Sequence, residues 1–428
     1  MQYGNYQHSY NELPQFCRQL QLSNPGTIVE IMCTLNAERG TGYANFLYAF
    51  WAFKPAIDGF LYCIPVICVD GTHLYNQYKG HLLLACVYTA NKEIYPLAYS
   101  IVDSENNASW TWFLRLLAEH VFPHHNSMCI ISDRHAGIDA AFNSVQQLKG
   151  GGRVKRRFCL RHIRNNVMTR VTRNRRLRKL VWEVGTAVTR NQFLQHMQAI
   201  QIKWPAAYAY LANIDVEKWT LSHDDGHRYG IMTTNPSESL NNSLKCCRML
   251  HVTAIVRMTF HKLRTMFADR RTAGDGMQQH RLLFTKKITD DLSARNNEAS
   301  GASIQRFNDA LGIYGVALST GCVSQSQQNH FQVILTKRTC NCGLWNVNGI
   351  PCAHVLAACN YRGQGFAPLV PEVYSVQNYR NCYAGNFYPV DERTQCVPVQ
   401  LLAFHQFLLG NQINEANDEH VGIQMKWT

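Results

Sequence analysis

Cys340-Asn341-Cys342 is followed by nine residues and then by Cys352-Ala353-His354, so four thiol and imidazole ligands fall within fifteen residues. Structural zinc takes four tetrahedral Cys and His ligands. The intervening GLWNVNGIP holds two glycines and a proline, as a chain that turns back on itself requires. Sixteen cysteines make some close pairs unavoidable, but chance rarely supplies both a closing histidine and a turn. Cys340, Cys342, Cys352 and His354 are therefore expected to hold one Zn2+ in a small ribbon.

A second chemistry needs oxygen ligands. Asp70 ends the apolar run IPVICVD (64–70) and Asp133 ends MCIISD (128–133). Functional side chains of open sheets collect at the carboxyl ends of strands. Two carboxylates there can hold Mg2+ or Mn2+, and a third would complete a two-metal site for phosphodiester displacement. A lone aspartate after a strand is more often a turn or cap residue, so neither carries the assignment alone.

The third signal is charge. The chain is 428 residues long with a net charge of +13, and no acidic residue lies between Lys149 and Lys179. Arg153, Lys155, Arg156, Arg157, Arg164, Arg173, Arg175, Arg176, Arg178 and Lys179 are expected to contact DNA phosphates, joined in that window by Arg161 and Arg170. KRRF and RNRRLRK also fit nuclear import signals. The N-terminus lacks an apolar secretory segment, and LLLACVY (82–88) is too short to span a bilayer. Scattered cysteines without a dense framework suit a reducing compartment.

These groups need elements to position them. Strands are expected at 64–70, 81–89, 94–103 and 128–133, with a hairpin turn at ANKE. Helices are expected at 109–121, N-capped by Ser109, and at 135–145. The order β-β-β-α-β-α is an α/β layer architecture. Residues 1–60 read as mainly helical with an extended piece at 27–35. The stretch 155–225 reads as helix-rich, 236–250 and 254–296 as helices, 296–303 as a polar linker, and FQVILT (331–336) as a strand.

VDGTHLYNQYKGHLLLACVYTANKEIYPLAYSIVDSENNASWTWFLRLL, IISDRHAGIDAAF, FCLRHIRNN, TTNPSESLNNSLK and CNCGLWNVNGIPCAHVLAA occur in that order over about residues 64–360. Together they resemble the Mutator-like (MULE) transposases, whose catalytic domain is followed by a SWIM-type zinc finger. The resemblance implies an RNase H-like DDE core with a helical insertion, then the small zinc ribbon. It places the catalytic, Mg2+- or Mn2+-binding acids at Asp70, Asp133 and Glu238. Cys159 and His162 match the family's CxxH element, a pair that cannot fill a zinc site alone. Asp103, Glu105 and Asp139 lie near the core but off the triad positions.

On that basis the chain divides into a lead-in (1–60), the first part of the core (61–150), a basic helical insertion (151–230), the end of the core (231–295), the SWIM finger (305–366) and a tail (367–428). The implied activity is metal-dependent DNA cleavage and strand transfer in the nucleus. Its partners would be element terminal inverted repeats and target DNA, with homo-oligomers to be expected and no membrane. A nuclear transcription regulator of the far-red-impaired-response type, derived from the same family, is the alternative, as is an inactive truncated relic. Family members carry an N-terminal zinc-containing DNA-binding domain, and residues 1–60 show no CxxC or HxxxH set. The family's aspartate near Thr89 is also missing.

Overall fold

The structure is a computed structural model, and it describes residues 6–35, 43–76, 79–122, 127–149, 152–319, 330–391, 403–405 and 423–425. Helix α1 (Tyr6–Ser23) leads into an antiparallel pair, β1 (Ile28–Leu35) and β2 (Tyr43–Ala52). Sequence reading expected mostly helix here. The aromatic run YANFLYAFWA instead forms a full strand of the main sheet, paired with both β1 and the later β5. Phe46, Phe50 and Trp51 are buried. A strand covered on both faces loses the alternation by which strands are recognised.

Helix α2 (Lys54–Phe60), with Pro55 in its first turn, is followed by β3 (Val66–His73), β4 (His81–Tyr88) and β5 (Ile94–Val102). These three form an antiparallel meander. Helix α3 (Asn107–His120) begins two residues earlier than expected. Asn106 is its N-cap, and Ser109 sits at the third helical position to complete a capping box: the Ser109 N–H donates to Asn106 Oδ1 (2.9 Å) and the Asn106 N–H to Ser109 Oγ (3.0 Å). Strand β6 (Met128–Ser132) runs parallel to β3, and helix α4 (Ala136–Ser144) follows it.

The basic block opens as a strand, not a helix. VKRRF forms β7 (Val154–Phe158), parallel to β6. The open edge of β6 offers ladder hydrogen bonds that override the helix-compatible composition. Helices α5 (Leu160–Arg170), α6 (Arg175–Thr186), α7 (Arg190–Lys203) and α8 (Pro205–Ala212) then build a separate core around Ile163, Leu177, Val181, Ile200 and Trp219. The stretch expected to be helix-rich is thus helical over most of Leu160 to Ala212. In α6, Leu177, Val181 and Val184 face that core at helical spacing while Arg175, Arg176, Arg178 and Lys179 face outward.

Helix α9 (Asn235–Ser243) is shorter than the 236–250 helix expected, and a 3-10 turn at Cys247–Met249 ends the segment. The helical run expected at 254–296 is two helices, α10 (Val252–Gln279) and α11 (Lys286–Ala299), broken around Arg281 at φ +55°. The polar segment 296–303 is not a free linker: α11 runs through Ala299 and β8 (Ser303–Asn308) starts four residues later.

Strand β8 joins β9 (Ile313–Ala317), β10 (Phe331–Ile334) and β11 (Thr339–Cys340) in a four-stranded antiparallel sheet of order β11-β10-β9-β8. Helices α12 (Leu344–Asn348) and α13 (Ala353–Arg362) complete this unit. Helix α14 (Val376–Cys382) returns to the main core, where Tyr95 Oη donates to the Cys382 carbonyl at 3.0 Å. Two short strands, β12 (Ala403–His405) and β13 (Ile423–Met425), add to β2 and β1. The nine-stranded main sheet has the order β13-β1-β2-β5-β4-β3-β6-β7, with β12 beside β2. Among the described residues, no helix is long and apolar enough to cross a membrane.

Candidate active site and zinc site

Strands β3 and β6 pair in parallel with Cys68 opposite Ile131. Continued by two residues, that register sets Asp70 beside Asp133. Both carboxylates thus stand at one edge of the sheet core, half-buried. Asp70 is followed by Gly71, where an added Cβ would lie 2.5 Å from the carboxylate of Glu105. A side chain there would push the Glu105 carboxylate off the strand.

Glu238 comes from α9, which rests on the β3–β4 pair. Ser237 Oγ contacts Cys86 Sγ at 3.4 Å, and the Cys68 thiol donates to the Thr233 carbonyl at 3.8 Å. Glu238 therefore rides above the residues next to Asp70. Its carboxylate forms an ion pair with Arg161 of α5, and its Oε1 is buried without a hydrogen-bond partner.

The electrostatics join these groups. Burial lifts the Asp70 carboxyl to about 7; the charge of His162 opposes the lift, and Asp133, Glu238 and Glu105 add to it. The lift comes first from burial, with the neighbouring acids adding a smaller part. Three half-buried carboxylates with one unpartnered oxygen suit a hard divalent cation. They are not drawn as close as zinc ligands: among the described residues, the group of metal-type ligands found within 4.8 Å of one another is a different one.

That group is Cys340, Cys342, Cys352 and His354, all buried. Cys340 ends β11, Cys352 caps α13 and His354 is its second residue. The chain reverses through Gly343 (φ +83°) and Gly349 (φ +72°), left-handed positions that favour glycine. Cys342 Sγ lies 3.5 Å from Cys352 Sγ, and Cys352 Sγ lies 3.8 Å from His354 Nδ1. Three sulfurs and a nitrogen at this spacing fit structural Zn2+. The ribbon is docked, not isolated. A Cβ on Gly343 would meet the Val188 carbonyl at 2.7 Å, and Arg295 donates to the carbonyls of Ile350 (3.0 Å) and Pro351 (2.8 Å).

Cys159 and His162 flank the acids. Burial opposes the Cys159 thiolate, yet His162 and the donors of Thr234 outweigh it and bring the thiol down to about 7. Contact with Cys159, against the cost of burial, pushes His162 up to about 9, helped by the charges of Asp70 and Asp133. The pair is not part of a metal-type cluster among the described residues.

The basic residues separate into two sets. Arg153, Arg173, Arg175, Arg176, Arg178 and Lys179 are exposed, while Lys155, Arg156 and Arg164 are half-buried. Arg156 pairs with Asp139 and lies 5.1 Å from the centre of the Phe158 ring, and Arg164 stacks on Trp182. Arg157 turns inward: its Nε donates to Asp224 Oδ1 at 2.7 Å, and Asp224 also accepts from the Arg228 N–H at 2.7 Å. Asp224 and Arg228 are fully buried, so Arg157 is part of an internal ion cluster.

Residues 66–166 match the family model of the MULE transposase domain, and residues 331–363 match that of the SWIM zinc finger. The chain carries a MULE transposase domain and a SWIM zinc finger. No curated protein matches it significantly. The MULE segment begins at β3 and ends in α5, so it contains Asp70, Asp133, Cys159 and His162. Glu238 lies beyond it and is tied to it by α9 packing and by Arg161. The SWIM segment contains all four zinc ligands. Sequence reading missed the contribution of Arg161 and of Glu105 over Gly71. No local motif marks either, because each matters only through a partner brought close by folding.

Proposed function

We propose that the protein is a DDE-type DNA transposase with an RNase H-like core, in which Asp70, Asp133 and Glu238 hold Mg2+ or Mn2+. The observation that supports the reading is the parallel β3–β6 ladder, whose last pair, Cys68 and Ile131, lies two residues before Asp70 and Asp133, with the helix bearing Glu238 packed on β3 and β4. The meander β5-β4-β3 continued by parallel β6 and β7 supports the fold assignment, and the MULE match supports the chemistry.

Asp70 and Glu238 would bind the cations from two sides, with Asp133 supporting both. When bound, a pair of such ions activates an attacking oxygen and stabilises a leaving one in phosphodiester displacement. The chain's own groups prepare that site: burial keeps its acids out of bulk water, and Arg161 balances Glu238 until a cation arrives. The exposed arginines of α6 and its approach would grip the phosphates of element ends or target DNA, fixing the duplex without reading bases. A nuclear location is part of the proposal, supported by the exposed basic residues of RNRRLRK at 173–179.

The test is cleavage or joining of DNA carrying the cognate terminal repeats, intact and pre-nicked, with Mg2+ or Mn2+. Asp70→Asn, Asp133→Asn and Glu238→Gln should each abolish turnover with DNA affinity nearly intact. Calcium should support binding but little chemistry, since its looser coordination fits the two-ion geometry poorly. Identical behaviour of wild type and Asp70→Asn on every substrate would replace this reading with that of a DNA-binding regulator.

A further inference from the structure

Cys159 stands between the second acid and the third. Its backbone N–H donates to the carbonyl of Ser132, the residue before Asp133, at 2.7 Å. Its thiol accepts from the Thr234 N–H at 3.3 Å and from the Thr234 hydroxyl at 3.5 Å. The Thr234 carbonyl in turn accepts the Glu238 N–H at 3.1 Å. One residue on, the Leu160 N–H donates to the Met232 carbonyl at 2.8 Å, a second tie between the same two segments. A continuous chain of hydrogen bonds therefore runs from the end of β6, through Cys159, to the first turn of α9.

Cys159 and Thr234 are both fully buried. Water cannot replace the sulfur as acceptor without entering the core, so losing it would strand two donors. A thiol also suits the span: its large, polarisable atom reaches both Thr234 donors from one position. His162, one turn along α5, has its Nδ1 buried without a hydrogen-bond partner. Among the described residues Cys159 and His162 belong to no group of metal-type ligands, so the arrangement is a strut and not a second zinc site.

We propose that Cys159 is a positioning residue that sets the spacing of Asp133 and Glu238, and thereby the affinity of the acidic site for a divalent cation. This rests on the reading of Asp70, Asp133 and Glu238 as a cation site.

The experiment is Mn2+ titration of the zinc-loaded full chain followed by electron paramagnetic resonance, with zinc content measured in parallel. Asp70→Asn, expected to lose the Mn2+ site, is the reference. Cys159→Ala should weaken Mn2+ binding about tenfold or more, the usual effect of removing a group that orients metal ligands. Cys159→Ser, which keeps an acceptor, should recover most of the affinity. Thr234→Val, which removes one of the two donors, should weaken it by a smaller factor. Zinc should stay at one per chain throughout.

Wild-type Mn2+ affinity in Cys159→Ala overturns the proposal, as does a second zinc in wild type that this variant loses. If Cys159→Ala does not fold, wild-type affinity in both Cys159→Ser and Thr234→Val overturns it instead. If wild type and Asp70→Asn bind Mn2+ alike, the acidic-site reading itself fails and the strut falls with it. A site that depends on Asp70 but not on Cys159 removes the strut alone.

Discussion

Arg161 forms an ion pair with Glu238, across 77 positions of sequence, from the helix that opens the insertion to the helix that closes it. The guanidinium thus occupies one oxygen of the third acid while the other has no partner. On the proposed reading, Arg161 would compete with a cation for Glu238 and also repel it.

Arg161→Gln should therefore tighten Mn2+ binding to the full chain. The pair is partly exposed, and such pairs contribute about 0.2–1 kcal/mol, so the expected gain is about 1.4- to fivefold. Mn2+ titration measures it. Weaker binding in Arg161→Gln would show that the arginine holds Glu238 in its binding pose and does not mask it.

Asp70 makes a prediction about pH. Its carboxyl is raised from 3.8 to about 7 in the fold, first by burial and then by its acidic neighbours. A raised value means that the proton favours the folded state. That contribution is fully present below about pH 4, declines as pH rises, and is gone above about pH 7. In zinc-loaded protein without Mg2+, the melting temperature of Asp70→Asn minus that of wild type should rise between about pH 5 and pH 7 and then level off. A difference that stays flat would mean that Asp70 titrates as an ordinary carboxylate.

The zinc quartet should be structural, and its loss should reach beyond the ribbon. Cys352→Ala should lower zinc content from one per chain to none. Hydrogen exchange should then rise at 331–363 and also near Val188, against which Gly343 packs, and along α11, where Arg295 holds the carbonyls of Ile350 and Pro351. Exchange confined to 331–363 would mean that the ribbon does not brace the helices it touches.

The arginines of the basic block should part into two classes. Arg157→Ala removes one of the two guanidinium partners of buried Asp224 and leaves Arg228, and should cost about 1–3 kcal/mol in denaturant unfolding. Replacing Arg175, Arg176 and Arg178 together by Gln should change stability little, because these side chains face solvent. The same triple variant should weaken binding to all DNA sequences alike and lower the salt dependence by about 0.9 per lost phosphate contact. An unchanged salt slope would place the DNA elsewhere.

Four zinc ligands were legible by residue type and spacing alone, because ligand preference and a short turn are local properties. The strands that carry Asp70 and precede Asp133 were equally plain, since a buried apolar run closed by an acid needs no partner to be recognised, although β3 runs three residues past Asp70 to His73. The stretch 155–225 read as helix-rich, and in α6 Leu177, Val181 and Val184 share one core. Beyond these, the tertiary structure decided. Strand β2 escaped notice because burial on both faces erases alternation, and VKRRF became a strand only because β6 offered it an edge. Arg157 and Arg175 are the same residue type in one basic run, yet Asp224, 67 positions from Arg157, draws only one of them inward. The link from Ser132 through Cys159 to Thr234 depends on hydrogen bonds between segments 27 and 75 residues apart. Residue type and spacing determined which ligands this chain offers; only the pairing of distant segments determined which of them meet, because hydrogen bonds and ion pairs act over a few ångströms of space and not along the sequence.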